Sequence, residues 1–185
     1  MKIGLTQRIL VHNGHAYDAT SVAWYSYLQG HTLVSIPNRV DQDFEQLAEE
    51  LDVLIITGGD DSVLRRNVEL KLAGQVALRK KPIIGVCHGC FLLVDVLGGE
   101  VIDIEDHHNA EHTINYFGDT VQVNSYHSLA IKQLHKSGTT LATDNEGNVE
   151  AWIDGKMAGV VWHPERMKAP WLPDEIQNLL FQGQK

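Results

Sequence analysis

The stretch 82–93, Pro-Ile-Ile-Gly-Val-Cys-His-Gly-Cys-Phe-Leu-Leu, constrains this chain more than any other. Ile83 to Val86 is a short apolar run that reads as a buried strand. It stops at Cys87, with Gly85 before it and Gly89 after it. Cys90–Val96 then has helical length and no breaker until Gly98 and Gly99. Strand, tight turn and helix, with a reactive side chain at the turn, is the layout of a nucleophile elbow. Flanking glycines let neighbouring backbone come close. A helix start aims amide groups and a positive dipole end at the sulfur, which favours thiolate over thiol. The same residues also suit a buried structural cysteine, so a second feature must decide.

With 185 residues, the chain is long enough for one domain, 1–185, with a sizeable core. A net charge of −9 argues against non-specific nucleic-acid binding and against an anionic membrane surface. Cys87 and Cys90 are the two cysteines. Their C-x-x-C spacing can mark a redox pair, but Gly89 and the apolar flanks fit a helix start equally well. The N-terminal apolar stretch is too short for a signal peptide, and no run approaches membrane-spanning length. A reduced, cytoplasmic setting is the default expectation.

Apolar strands alternate with helices through the first half. Strands are expected at Lys2–Thr6, His31–Ile36, Val53–Thr57 and Ile83–Val86. Helices are expected at Ala19–Leu28, Phe44–Leu51 and Val63–Lys80, the last capped by Ser62. Gln7–Asp18 reads as a polar loop. Wholly apolar strands indicate a parallel sheet covered on both faces. The second half holds short strand-like runs at Val101–Ile104, Thr113–Tyr116, Thr120–Val123, Thr140–Thr143, Val149–Ile153 and Gly159–Trp162. Turn signals separate them, so they read as antiparallel additions at one side of the sheet. Glu175–Phe181 is a closing helix. The expected fold is α/β: a three-layer, flavodoxin-like sandwich with a mostly parallel central sheet.

The second informative stretch is Val160-Val161-Trp162-His163-Pro164-Glu165. Proline biases His163 toward an extended conformation, in which residues i and i+2 face the same way. Glu165 is then placed to hold one ring nitrogen of His163 while the other faces a nucleophile. Alone, the same residues suit a solvated turn. Together with a cysteine elbow they suggest nucleophile, base and orienter.

G-V-C-H-G at 85–89, W-H-P-E at 162–165 and T-G-G-D at 57–60 together resemble the class I glutamine amidotransferases and the related γ-glutamyl hydrolases. Segments 123–128 and 142–151 resemble what these families carry between cysteine and histidine. The resemblance implies that Cys87 attacks a γ-glutamyl amide and forms a thioester, that His163 moves the proton, and that Glu165 orients His163. It implies an oxyanion hole from the N–H groups of His88 and Gly59. Gly58, Ser125, Tyr126 and His127 would lie at the substrate. Family members usually carry glutamine where this chain has Phe91, which offers no hydrogen bond; the acyl pocket is expected to differ there.

Two enzymatic versions stay open. One is a glutaminase that releases ammonia for a separate synthetase. The other is a stand-alone hydrolase of a γ-glutamyl conjugate. A non-catalytic binding protein on the same fold is a third. No cofactor or metal is implied. Histidines 107, 108 and 112, with nearby acidic residues, lack recognised ligand spacing and read as a solvated loop over the site. His12 and His15 follow the first strand, at the end that faces the ligand crevice of a parallel sheet.

Overall fold

A computed structural model describes residues 1–104 and 108–181. Strand β1 (Lys2–Thr6) leads into a hairpin of β2 (Arg8–His12) and β3 (His15–Ala19). Helix α1 (Ala23–Tyr27), β4 (Thr32–Ile36), α2 (Phe44–Glu50), β5 (Val53–Ile56), α3 (Val63–Leu78), β6 (Ile83–Val86) and α4 (His88–Leu97) follow. The second half contributes β7 (Glu100–Asp103), β8 (His108–Tyr116), β9 (Asp119–Tyr126), β10 (Leu129–Gln133), β11 (Thr139–Thr143), β12 (Val149–Asp154) and β13 (Met157–Val160). A 3-10 turn (Pro164–Arg166) and α5 (Asp174–Leu180) close the chain.

Apart from the hairpin β2–β3, the described strands join one sheet with the order β4-β1-β5-β6-β13-β12-β11-β8-β9, and β10 and β7 branch from β12. Strands β4, β1, β5, β6 and β13 are parallel. From β12 onward the pairing is antiparallel. β5 and β6 are apolar or glycine throughout and buried at every position, as a doubly covered parallel sheet requires. One face packs on Trp24 and Leu28 near α1 and on Ile176 and Leu179 of α5. The other packs on Ala48 of α2, on Val68, Leu72 and Val76 of α3, and on Leu92 and Leu93 of α4. The result is a three-layer sandwich with an antiparallel extension at one side. Among the described residues no helix is long and apolar enough to cross a membrane.

Several boundaries depart from the sequence reading. Gln7–Asp18 is not a polar loop. Asn13 (φ 50) and Gly14 (φ 76) form a two-residue turn with both residues at positive φ, which closes the hairpin with Arg8 opposite Ala19. That pairing uses residues as far as Ala19, so α1 starts later than Ala19 and is short. His12 and His15 pair across the hairpin tip, where both are exposed. A second tight turn, Phe117 (φ 49) and Gly118 (φ 97), joins β8 to β9, and both strands run well beyond the short segments expected. β10 was not anticipated. Ser62 does cap α3, accepting from the Arg65 N–H at 3.2 Å. Residues 105–107, part of the histidine-rich stretch, lie outside the described residues, whereas 108 and 112 fall in β8 rather than in an irregular segment.

Candidate active site

The topology itself brings the two informative stretches together. β6 and β13 are adjacent and parallel, with Val86 opposite Val160. Their C-terminal ends therefore finish at one level. Cys87 follows the first, and its N–H donates to Val160 O at 2.9 Å. His163 follows the second, three residues further on.

Cys87 sits at φ 51, ψ −107, a conformation that L-residues avoid, and it caps the start of α4. Holding it there costs on the order of 1–3 kcal/mol. The glycines explain how the turn is enforced. A Cβ on Gly85 would lie 2.5 Å from Gly89 O, and a Cβ on Gly89 would lie 2.1 Å from Ile56 O. Helix α4 thus packs its first turn directly on the ends of β5 and β6. The His88 N–H belongs to that first turn, where helix donors lack intrahelical partners.

His163 and Glu165 meet as expected, by a different backbone route. His163 is extended (φ −106, ψ 90), but Pro164 then opens a 3-10 turn. Proline suits that first helical position because its fixed φ and missing N–H cost nothing there. Glu165 folds back and accepts from His163 Nδ1 at 2.7 Å. Both residues are buried. Asn124 of β9 fixes the backbone of His163 twice: Nδ2 donates to His163 O at 2.9 Å, and Oδ1 accepts from His163 N at 2.9 Å.

Burial alone would depress the His163 pKa, but hydrogen bonds to Cys87 and Glu165, with the charge of Glu165, raise it from 6.5 to about 9. A raised histidine stabilises the fold fully below its unfolded value, and that contribution is lost as pH rises through the folded value. Thermal stability is therefore expected to fall between pH 6.5 and about 9. Melting curves across that range check this, and a Glu165→Gln variant is expected to flatten the dependence.

Gly58 does not line the cleft beside Cys87; it packs against the imidazole. A Cβ there would lie 2.3 Å from His163 Cε1. Misplacing a catalytic group by about 1 Å can cost on the order of 100-fold in rate. Gly58→Ala is expected to lower kcat/KM by about that factor with little change in KM, as steady-state kinetics would show. Gly59, at φ 127, adopts a conformation that favours glycine, and it lines the cleft.

A buried polar network underlies this loop, and the sequence reading missed it. Arg65 and Glu69 of α3 are both fully buried and paired, Nε to Oε1, at 2.8 Å. Glu69 also accepts from Thr6 Oγ1 at 2.7 Å and contacts His88 Nε2 at 2.8 Å. Arg65 donates to the carbonyls of Thr57 at 2.5 Å and Asp60 at 3.2 Å. Burial pushes the Glu69 carboxyl up, yet His88, Arg65 and Thr6 together hold it below the usual range. One carboxylate thus ties the residue after Cys87 to the loop that carries Gly59. The i, i+4 spacing of Arg65 and Glu69 was visible, but it reads as a surface pair until α3 is known to bury that face.

A cavity of about 350 Å³ opens beside Cys87, lined by Gly59, His88, Phe91, Tyr126 and His127 among others. Phe91 is buried and stands beside the His127 ring, centroids 5.7 Å apart. His127 Nδ1 is held by Leu129 O at 2.7 Å. Asp60, Asp61, Arg66 and Asp95 give the cavity charge of both signs. Arg66 pairs with Asp95 and lies 3.9 Å from Asp61. Ser125 does not line the cavity. Side chains alternate along β9, so Val123 and Ser125 point inward while Tyr126 points out. Among the described residues no group of three or more His, Cys, Asp or Glu is placed to hold a metal ion.

The chain is similar to several known proteins over most of its length. A glutamine amidotransferase-like protein of Lactococcus lactis, YvdE, is 26% identical over 195 residues, covering 83% of this chain and 81% of the relative. The γ-glutamyl-CDP-amidate hydrolase of Campylobacter jejuni is 22% identical and covers 90% of both chains. A solved structure described as a GMP synthase subunit from Thermoplasma acidophilum superposes with a TM-score of 0.74 at 18% identity, covering 97% of this chain and 92% of that one, and so shares the fold. The profile described as glutamine amidotransferase class-I matches residues 16–182. With its elbow, sheet order and matched length, the chain belongs to the class-I glutamine amidotransferase family.

Proposed function

We propose that this protein hydrolyses γ-glutamyl amides through a thioester on Cys87. The carrying observation is a cysteine held at φ 51 where β6 ends and α4 begins, beside a histidine whose Nδ1 is fixed by Glu165 at 2.7 Å. His163 takes the thiol proton as Cys87 Sγ bonds to the γ-carbonyl carbon. The carbonyl oxygen gains negative charge, and the N–H groups of His88 and Gly59 receive it. Each such donor is worth on the order of 3 kcal/mol in barrier. The C–N bond then breaks as His163 returns its proton to the leaving nitrogen. Water, deprotonated by His163, attacks the thioester. The C–S bond breaks, glutamate leaves and the sulfur recovers the proton. Mixed charge around the acyl cavity suits a group that carries both an α-ammonium and an α-carboxylate.

Phe91 favours a conjugate over free glutamine, since it removes a polar contact that the family places in this pocket. A second reading, a glutaminase serving a separate synthetase, draws on the hairpin β2–β3. Val11 and Tyr17 are exposed there, on an element that touches the Gly59 loop through Arg8. Glutamate release by the purified protein, from glutamine and from a panel of γ-glutamyl amides, separates the two. Fast release from a conjugate supports the hydrolase; slow release from glutamine alone supports the synthetase-dependent glutaminase.

A further inference from the structure

Glu165 uses one carboxylate oxygen for both of its close contacts. Oε1 accepts from His163 Nδ1 at 2.7 Å and lies 3.4 Å from Arg166 Nε. The side chain is 1% exposed, and among the described residues Oε2 has no hydrogen-bond partner. A buried carboxylate oxygen left unpaired is costly. Arg8, the first residue of β2, has the complementary need. Its Nε is buried and has no partner among the described residues. Both residues line one small cavity, which Ser21, Trp24 and Gly58 help to enclose. A water's centre has about 10 Å³ to occupy there, room for one molecule. Water accepts and donates at once, so one molecule can take the Arg8 N–H and give its own proton to Glu165. The same arginine also reaches the oxyanion loop. A Cβ on Gly59 would lie 2.9 Å from Arg8 Cδ and 3.0 Å from Arg8 Cβ, so the arginine stem packs on that glycine.

We infer that Arg8 is a positioning residue, which holds Glu165 through one bound water and seats Gly59 with its aliphatic stem. The inference rests on the hydrolytic reading above, in which Glu165 orients His163 and Gly59 receives the oxyanion. A carboxylate bonded through one oxygen can pivot about that bond. Bonding through both oxygens fixes its plane, and with it the imidazole. A water-mediated bond of this kind is nearly as favourable as a direct one. Arg8 is not among the described residues that line the acyl cavity, so its effect falls on turnover and not on substrate affinity. One side chain of the hairpin thus supports both the base and an oxyanion donor.

The test uses Arg8→Met, which keeps the stem and removes the guanidinium, and Arg8→Ala, which removes both. Arg8→Met is expected to lower kcat about tenfold with KM unchanged, as the loss of one hydrogen bond to a charged group implies. Arg8→Ala is expected to lower kcat about 100-fold, because Gly59 loses its seat as well. A far-downfield proton NMR resonance reports the His163 Nδ1–H bonded to Glu165 and is assigned by its loss in His163→Gln. In Arg8→Met it is expected to move upfield and broaden, which a purely structural role for Arg8 would not produce. A crystal structure of the wild-type protein is expected to show one water within about 3.2 Å of both Arg8 Nε and Glu165 Oε2. Wild-type kcat in Arg8→Met, an unmoved resonance, or no water bonded to both groups would each overturn the inference while hydrolysis stands. If the wild-type protein cleaves no γ-glutamyl amide, the hydrolytic reading falls, and the resonance and the water still decide whether Arg8 holds Glu165.

Discussion

Cys87→Ala is expected to reduce turnover of every γ-glutamyl amide to background while the fold persists. On the proposed mechanism the acyl intermediate forms on Cys87. Cys90, three residues on, is fully buried, accepts from Trp152 Nε1 at 3.2 Å, and burial pushes its thiol well up. It does not substitute for Cys87. In other triad enzymes, loss of the nucleophile alone costs on the order of 10⁶ in kcat, so residual activity should lie at the detection limit. Cys87 packs only a small side chain, and the strained φ persists in the variant. The free energy of unfolding should therefore change by no more than about 1 kcal/mol. Glutamate release by wild type and variant, with urea melts of both, measures the two halves of this expectation.

Glu69→Ala is expected to have the largest effect on stability. It leaves the Arg65 guanidinium and the His88 imidazole facing a void where a fully buried carboxylate stood. Breaking one side of a buried ion pair costs about 3–5 kcal/mol, a large share of the ~5–15 kcal/mol of a typical domain. Because Arg65 also holds the carbonyls of Thr57 and Asp60, the loop carrying Gly59 loosens as well. Catalysis should fall even where the variant remains folded. The Glu69 carboxyl is held below its ordinary value in the folded chain. Its contribution is therefore present above the unfolded carboxyl pKa and lost as pH falls through the folded value. The wild-type chain should lose stability in acid more steeply than Glu69→Gln. Urea midpoints at neutral and acid pH check both expectations, and a destabilisation below about 1 kcal/mol would reduce this pair to a surface-like contact.

How much of this was legible in the sequence followed from how local each signal is. The parallel half of the sheet was readable because β5 and β6 are apolar throughout, and the elbow because a cysteine stood between glycines at a strand end. The hairpin after β1 was missed although Asn13-Gly14 is a strong turn signal. Its strands are largely exposed, so no apolar–polar alternation marked the pairing. Strands β8 and β9 were cut short for the same reason. His163 and Glu165 were paired correctly, but through an extended segment instead of the 3-10 turn that Pro164 starts. Ser125 and Gly58 were placed at the substrate because motif position does not reveal side-chain direction. Strand alternation turns Ser125 inward, and the imidazole takes the space a Gly58 side chain would need. The Asn124 clamp and the Arg65–Glu69–His88 network depend on contacts between distant segments, and nothing local announces them.

The proposed thioester on Cys87 is the step on which the rest of the proposed chemistry depends, and a trapping experiment tests it. Purified protein is mixed with a γ-glutamyl amide, quenched in acid within the first turnovers and analysed by mass spectrometry. The expected result is one glutamyl group on the peptide containing Cys87, with none on the Cys87→Ala protein. Glutamate release at full rate from Cys87→Ala, or a glutamyl group carried on any other residue, would contradict the mechanism.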